Sequence, residues 1–284
     1  MRQNDMADIK LDITENYPLS SITTFRCGGP ADRLVVVNGR EELLKALELP
    51  RPMILGNGSN VLFPDSGYRG TIIKFGPALS RISVRGKVLR AGAGASFAAA
   101  AKAACAKGLT GLEFATGIPG SVGGAVYMNA GAYDGCVADT LFEVKSIPEV
   151  KDFGLSYRHS AFMDCGAIIL EAAFRLKEGV QEEIDAKVAD LTARRKEKQP
   201  LQYPSAGSTF KRPEGAFAAK LIDDCGLRGT WVGGAQVSEK HAGFLLNRGG
   251  TAADFVALMD LVRERVRKET GFVLEPEVRI LGTA

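Results

Sequence analysis

The chain is poor in histidine and cysteine. Its 284 residues include two histidines, His159 and His241, and five cysteines, at positions 27, 105, 136, 165 and 225. Two histidines exclude a histidine-rich metal site. The cysteine number is odd and the residues are widely scattered, which argues against both a disulfide framework and a CxxC metal or redox motif. No metal is expected, and the reading fits a reducing, cytoplasmic compartment. Charge of one sign is lacking too. Lys and Arg total 36 against 33 Asp and Glu, a net charge of +3. That is too small to argue for nucleic acid or an anionic membrane as partner, but an anionic small ligand stays open. No apolar run approaches the length of a membrane span. Residues 1–16 carry charges throughout and lack the apolar core of a signal peptide. Low-complexity sequence is absent. Gly-Gly-Ala recurs at Gly123 and Gly233 with different flanks, so there is no true repeat.

Glycine, by contrast, is concentrated. Six of the nineteen residues from Gly117 to Gly135 are glycine, interleaved with apolar groups. The segment begins Gly117-Ile118-Pro119-Gly120-Ser121-Val122-Gly123-Gly124-Ala125. An interior glycine costs a helix or strand up to about 1 kcal/mol relative to alanine, so irregular backbone is expected here. What glycine provides is close approach of the main chain, N–H groups outward, to something large. A nucleotide cofactor with a diphosphate is the natural occupant.

A second glycine loop, Gly56-Asn57-Gly58-Ser59-Asn60, directly follows an apolar run at 53–55. Successive N–H groups in such a turn form a concave anion site, to which Ser59 and Asn60 add donors. It is no Walker A loop, since no Gly-Lys-Ser/Thr follows, and it does not match GxGxxG opening a helix. Alone it reads as an ordinary tight turn; paired with the 117–135 segment it reads as ligand-binding.

The remaining pattern is α+β, without the βαβ rhythm of a parallel dinucleotide-binding sheet. Strands are expected at 33–37 (buried), 52–55 and 71–75, with a hairpin around Gly86 over 82–89. Helices are expected at 41–47, at 96–107 with Ser96 as N-cap and Gly108 as stop, and at 182–198 with Ile184, Val188 and Leu191 on one face. The apolar run at 168–176 ends in a strand-like pattern. A last helix runs over 252–268 between Thr251 and Gly271, and a strand at 278–281 closes the chain. Composition shifts after the 182–198 helix, so two domains are expected, 1–185 and 186–284, the first split at about residue 76.

Several polar groups are candidates for chemistry. Tyr157-Arg158-His159-Ser160 puts a guanidinium suited to clamping a carboxylate beside an aromatic and a hydroxyl; a surface salt bridge explains it as well. Ser205 to Lys211 gathers small hydroxyls around Gly207 and includes Ser208, without the GxSxG elbow of a hydrolase. In Glu275-Pro276-Glu277-Val278-Arg279, alternation sends Glu277 and Arg279 to one face and Val278 and Ile280 to the other, by default a solvated edge. His241 lies in a glycine-bracketed polar run, 233–244, and the bases of 194–198 cap a helix or hold phosphate.

Together these segments resemble the UDP-N-acetylenolpyruvoylglucosamine reductase family. The resemblance runs from about residue 20 to 281 and rests on seven signatures in order: Thr24-Phe25 with Gly28-Gly29-Pro30-Ala31-Asp32, residues 56–60, 117–135, 157–160, 205–211, 233–244 and 275–282. It implies an FAD-binding fold of the vanillyl-alcohol-oxidase type in two subdomains, plus a C-terminal α+β substrate domain. It further implies reduction of an enolpyruvyl UDP-sugar ether to a lactyl ether in peptidoglycan synthesis, with FAD and NADPH as cofactors, in a cytoplasmic monomer. FAD would lie against Gly56, Asn57, Gly58, Ser59, Asn60, Gly117, Pro119, Gly120, Ser121, Gly123, Gly124 and Ala125, supported by Arg195. Ser208 is implied as the proton donor to C2, with Arg158 and Glu277 polarising the carboxylate; Glu277 would then be protonated or hydrogen-bonded. Lys198, Arg228 and His241 are implied as substrate contacts. The spans 135–157 and 160–168 are short for the family, which suggests the subgroup without the tyrosine-bearing insertion that covers the substrate. Two alternatives stand beside this: another FAD-dependent oxidoreductase on the same scaffold, and a non-catalytic nucleotide-binding module.

Overall fold

Residues 9–282 are described by a computed structural model, so 1–8 of the charged 1–16 stretch lie outside the described residues. The chain forms two units, each discontinuous in sequence. The first includes residues 34–57 and 70–195, the second 15–33, 58–69 and 196 onward. The expected cut near 186 therefore falls inside a helix, and two early segments group with the C-terminal part. The reason is long-range pairing: Arg279–Ile280 runs parallel to Val61–Leu62, and composition along the chain carries no sign of it.

In the first unit, an antiparallel sheet has the order Leu141–Ile147, Ile168–Arg175, Val88–Gly92, Ile82–Arg85. Its last two strands are the expected hairpin. Helices α1 (Arg40–Ala46), α2 (Phe97–Cys105), α3 (Val122–Tyr127), α4 (Ala161–Cys165) and α5 (Gln181–Lys198) belong largely to this unit. Ser96 caps α2 as expected, its Oγ accepting from Ala99 N at 3.3 Å. The alanine face of α2 lets Phe97 pack against Phe174 with ring centroids 5.9 Å apart. A smaller core gathers Val35, Val37, Leu43, Ala46 and Ile73, where Pro52–Ile54 runs parallel to residues 71–73. Val36, expected buried with its neighbours, is 43 % exposed, because alternation along the strand turns it to the opposite face.

The glycine-rich segment departs from expectation, since 122–127 is helical (α3). Ser121 caps the helix, its Oγ accepting from Gly124 N at 3.2 Å. Gly123 is what brings α3 in close: a Cβ there would lie 2.9 Å from Ala93 Cβ. The packing of Val122, Ala125 and Val126 into the core offsets the entropy that glycine costs.

The second unit centres on α7, following α6 (Ala218–Asp224). α7 (Ala252–Thr270) buries Phe255, Leu258, Met259, Val262 and Val266 on one face, the spacing of an amphipathic helix. Thr251 and Asp254 form a capping box. Asp65 accepts from the next two amides, Ala252 N at 2.8 Å and Ala253 N at 2.9 Å. Phe25 packs on Phe255 at 4.5 Å between centroids. A three-stranded antiparallel sheet orders Trp231–Val232, Ala235–Val237 and Leu245–Asn247. In the closing segment Val278 is buried, but Ile280 is 36 % exposed, because a two-stranded edge offers no second layer to cover it. Among the described residues no helix is long and apolar enough to cross a membrane.

Candidate active site

Two of the expected cofactor loops meet in the first unit. Gly56 lies against Ser121, and Asn57 Nδ2 donates to Pro119 O at 3.0 Å. Gly120 O accepts from Phe97 N at 3.0 Å, and Ala125 is buried just beyond. Gly117 borders Arg195: a Cβ at 117 would sit 2.9 Å from Arg195 Cδ. Glycine thus lets the arginine side chain cross the main chain here. Burial pulls the Arg195 pKa below its ordinary value, with Tyr133 opposing. Among the described residues, neither Asn57 N–H nor Gly120 N–H has a protein acceptor. Main-chain donors without acceptors, on loops one of which also carries a half-buried guanidinium at Gly117, suit an anion, so these residues fit the diphosphate of a dinucleotide.

Arg158 stands at the tip of a turn in the same unit. Ser156 and His159 exchange main-chain bonds, both 3.2 Å, and Arg158 has φ +56°. That left-handed conformation normally goes to glycine, and a side chain held there points to function. The turn is pinned from beneath. Asn129 Nδ2 donates to Ser156 O at 2.7 Å, Ser160 Oγ to Tyr127 O at 2.7 Å, and Arg158 Nη2 to Gly131 O at 3.2 Å.

In the second unit, residues 208–211 run between two other segments. On one side Ser208 bridges Phe244 and Thr209 N donates to Gly243 O at 2.8 Å. On the other, Phe210 bridges Pro276 and Glu277 N donates to Thr209 O at 2.7 Å. Ser208 and Glu277 therefore come from adjacent segments, although 69 positions separate them. Ser208 is exposed on its strand, while Thr209 turns inward and is fully buried. The far half of the 56–60 loop joins this site. Gly58 O accepts from Thr24 N at 3.0 Å, Ser59 follows, and Asn60 Nδ2 donates to Glu277 O at 3.1 Å.

The three expected substrate contacts differ in their surroundings. Lys198 is exposed at the end of α5. Arg228 is engaged: Nη2 donates to Asp223 Oδ2 at 2.7 Å and Nη1 to Glu239 O at 2.6 Å, and the bond to Asp223 raises its pKa. His241 Nδ1 accepts from Gly243 N at 3.2 Å, which leaves Nε2 as the N–H of the neutral ring. Burial lowers its pKa, and the nearby Arg228 charge acts the same way.

Residues 199–281 match a family model described as UDP-N-acetylenolpyruvoylglucosamine reductase, C-terminal domain, and residues 31–147 match one described as FAD binding domain. A UDP-N-acetylenolpyruvoylglucosamine reductase of Agathobacter rectalis is 48 % identical over 96 % of this chain and 95 % of its own length. One from Clostridium perfringens is 47 % identical over 95 % of this chain and 93 % of its own. The crystal structure of the Thermus caldophilus enzyme superposes with a TM-score of 0.83 at 36 % identity, covering 95 % of this chain and 98 % of that one. The chain belongs to the UDP-N-acetylenolpyruvoylglucosamine reductase family.

The chain is accordingly an FAD-dependent oxidoreductase of α+β fold. Three of its residues escaped the sequence reading. Asn129, 6 % exposed, supports the Arg158 turn; it sits within the glycine-rich segment, where a buried polar residue was the available signal. Thr209 carries Glu277 on its carbonyl, a role no side chain announces. Lys74 reaches the carbonyl of Gly56 from the strand Tyr68–Phe75, and a lysine on a mostly buried strand was its only mark.

Proposed function

We propose that the chain reduces the enolpyruvyl ether of UDP-N-acetylglucosamine to the lactyl ether, giving UDP-N-acetylmuramate for peptidoglycan synthesis. The first unit, which includes residues 34–57 and 70–195, would hold the flavin, and the second would hold most of the sugar nucleotide. Bound FAD would take a hydride from NADPH and deliver it to C3 of the enolpyruvyl group.

The protein's own residues manage the charge that follows. Hydride addition to an alkene conjugated with a carboxylate leaves an enolate, which must be stabilised as it develops and then protonated at C2. Ser208 gives its hydroxyl proton to C2. A serine is a weak acid, but an enolate carbon is basic enough to accept from it. Arg158 clamps the substrate carboxylate through its planar guanidinium. Glu277 acts on the same group in its protonated, hydrogen-bonding form, since a second negative charge there would oppose the reaction. Lys198 and the Nε2–H of His241 serve the substrate diphosphate and carboxylate. Arg228 contributes by tying Asp223 to the 238–241 loop.

The observation that carries this reading is the pairing that sets Ser208 and Glu277 on adjacent segments, in a chain so close to relatives named as this reductase. The cysteines are free, which supports a cytoplasmic enzyme. The test is anaerobic: enzyme reduced with NADPH is mixed with the enolpyruvyl sugar nucleotide, and the flavin absorbance should return at once. Protein that is yellow as purified but stays bleached after the substrate is added would favour another flavin oxidoreductase. Colourless protein that cannot be reconstituted with FAD would favour a binding module.

A further inference from the structure

We infer that Lys74 and the side chain of Asn57 act as a pair of positioning residues, each turning one peptide plane so that its N–H faces the FAD diphosphate. The inference rests on the FAD reading above and assigns a device that makes the loops competent.

The argument starts from peptide geometry. In a planar trans peptide the C=O of one residue and the N–H of the next point in opposite directions. Lys74 Nζ donates to Gly56 O, so Asn57 N–H is turned away from the strand that carries Lys74. Asn57 Nδ2 donates to Pro119 O at 3.0 Å, so Gly120 N–H is turned away from Asn57. Both of these N–H groups are without a protein acceptor among the described residues, as are those of Gly58 and Ser59 in the same loop. Buried or half-buried amides are rarely left so, and here both neighbouring carbonyls are fixed by side chains. The two planes are also linked, because Asn57 presents one N–H and holds the carbonyl that sets the other.

Lys74 adds charge to orientation. It sits on a strand whose neighbours Ile72 and Ile73 are fully buried, and burial lowers its pKa. A desolvated ammonium bonded to a carbonyl polarises that peptide and strengthens the donor at its other end. A half-buried lysine on this strand carries a desolvation cost, and a hydrocarbon side chain would serve packing alone.

The experiment uses the FAD-loaded enzyme. Lys74→Met, Lys74→Arg and Asn57→Ala are compared by ³¹P NMR of the bound diphosphate and by FAD release on dilution, followed through recovery of flavin fluorescence. Lys74→Met and Asn57→Ala are expected to move at least one diphosphate resonance and to speed release roughly tenfold or more, with Lys74→Arg returning both toward wild type. Wild-type resonances and release rates in Lys74→Met and Asn57→Ala would overturn the inference while leaving the FAD reading intact. If Lys74→Met does not fold, the outcome rests on Asn57→Ala, whose side chain lies at the loop surface. A wild-type protein that retains no FAD would instead remove the reading on which the inference rests.

Discussion

Asn60 donates its side-chain amide to the main-chain carbonyl of Glu277 at 3.1 Å, across 217 positions of sequence. The same residue accepts from Arg279 N at 3.1 Å. One asparagine of a glycine loop thus holds the closing segment on both sides of Val278, and with it the carboxyl assigned to the substrate.

Asn60→Ala is therefore expected to disturb Glu277 more than the flavin. Loss of one such bond costs about 1 kcal/mol, measurable as a lower urea midpoint. In separated half-reactions, reoxidation by substrate should slow more than reduction by NADPH. Flavin loss with normal reoxidation of the remainder would place Asn60 with the cofactor alone.

Arg158 offers a trade between stability and function. Its φ of +56° suits glycine, so Arg158→Gly should be more stable than Arg158→Ala by about 1 kcal/mol in denaturant unfolding. Both variants should lose substrate-driven reoxidation by orders of magnitude and keep reduction by NADPH. Equal slowing of the two half-reactions would make Arg158 a cofactor-positioning residue.

His241 makes stability depend on pH. Its pKa is lowered from 6.5 by burial, so between the depressed folded value and 6.5 the unfolded chain binds more protons. Stability from this group is complete above about pH 6.5 and falls as the pH drops toward the folded value. His241→Gln should flatten that part of the profile in urea titrations across acid pH. An unchanged slope would show that the ring is not held neutral.

Glu277 is assigned a hydrogen-bonding role as the neutral acid. Glu277→Gln keeps a donor of similar shape and should retain more substrate-driven reoxidation than Glu277→Ala, by about tenfold. Equal activity of the two variants would argue for a negative carboxylate instead.

Local signals were legible in the sequence. Ser96 and Thr251 cap the helices assigned to them, the hairpin turns at Gly86, and Gly271 stops α7. Each depends on residues within a turn of one another. The glycine segment misled because propensity was read without packing: Gly123 belongs to a helix for the sake of its contact with Ala93. What stayed hidden was long-range. Asp65 on the amides of α7, Lys74 beneath Gly56, and Asn60 on Glu277 are pairings between distant segments, and no periodicity marks them. The division of the chain was hidden likewise, because strand pairing between residues 61–62 and 279–280 overrides the order of the sequence. That Ser208 and Glu277 lie on neighbouring segments, joined through Thr209, was not legible either; only family resemblance named the two together, since neither spacing nor composition connects them.

The most direct test of the account is stopped-flow mixing of NADPH-reduced Ser208→Ala with the enolpyruvyl sugar nucleotide. Flavin content and reduction by NADPH should match wild type, while formation of the lactyl ether falls by several orders of magnitude. Turnover near the wild-type rate in that variant would contradict the assignment of the C2 proton to Ser208, and with it the chemistry built on Ser208 and Glu277 as neighbours.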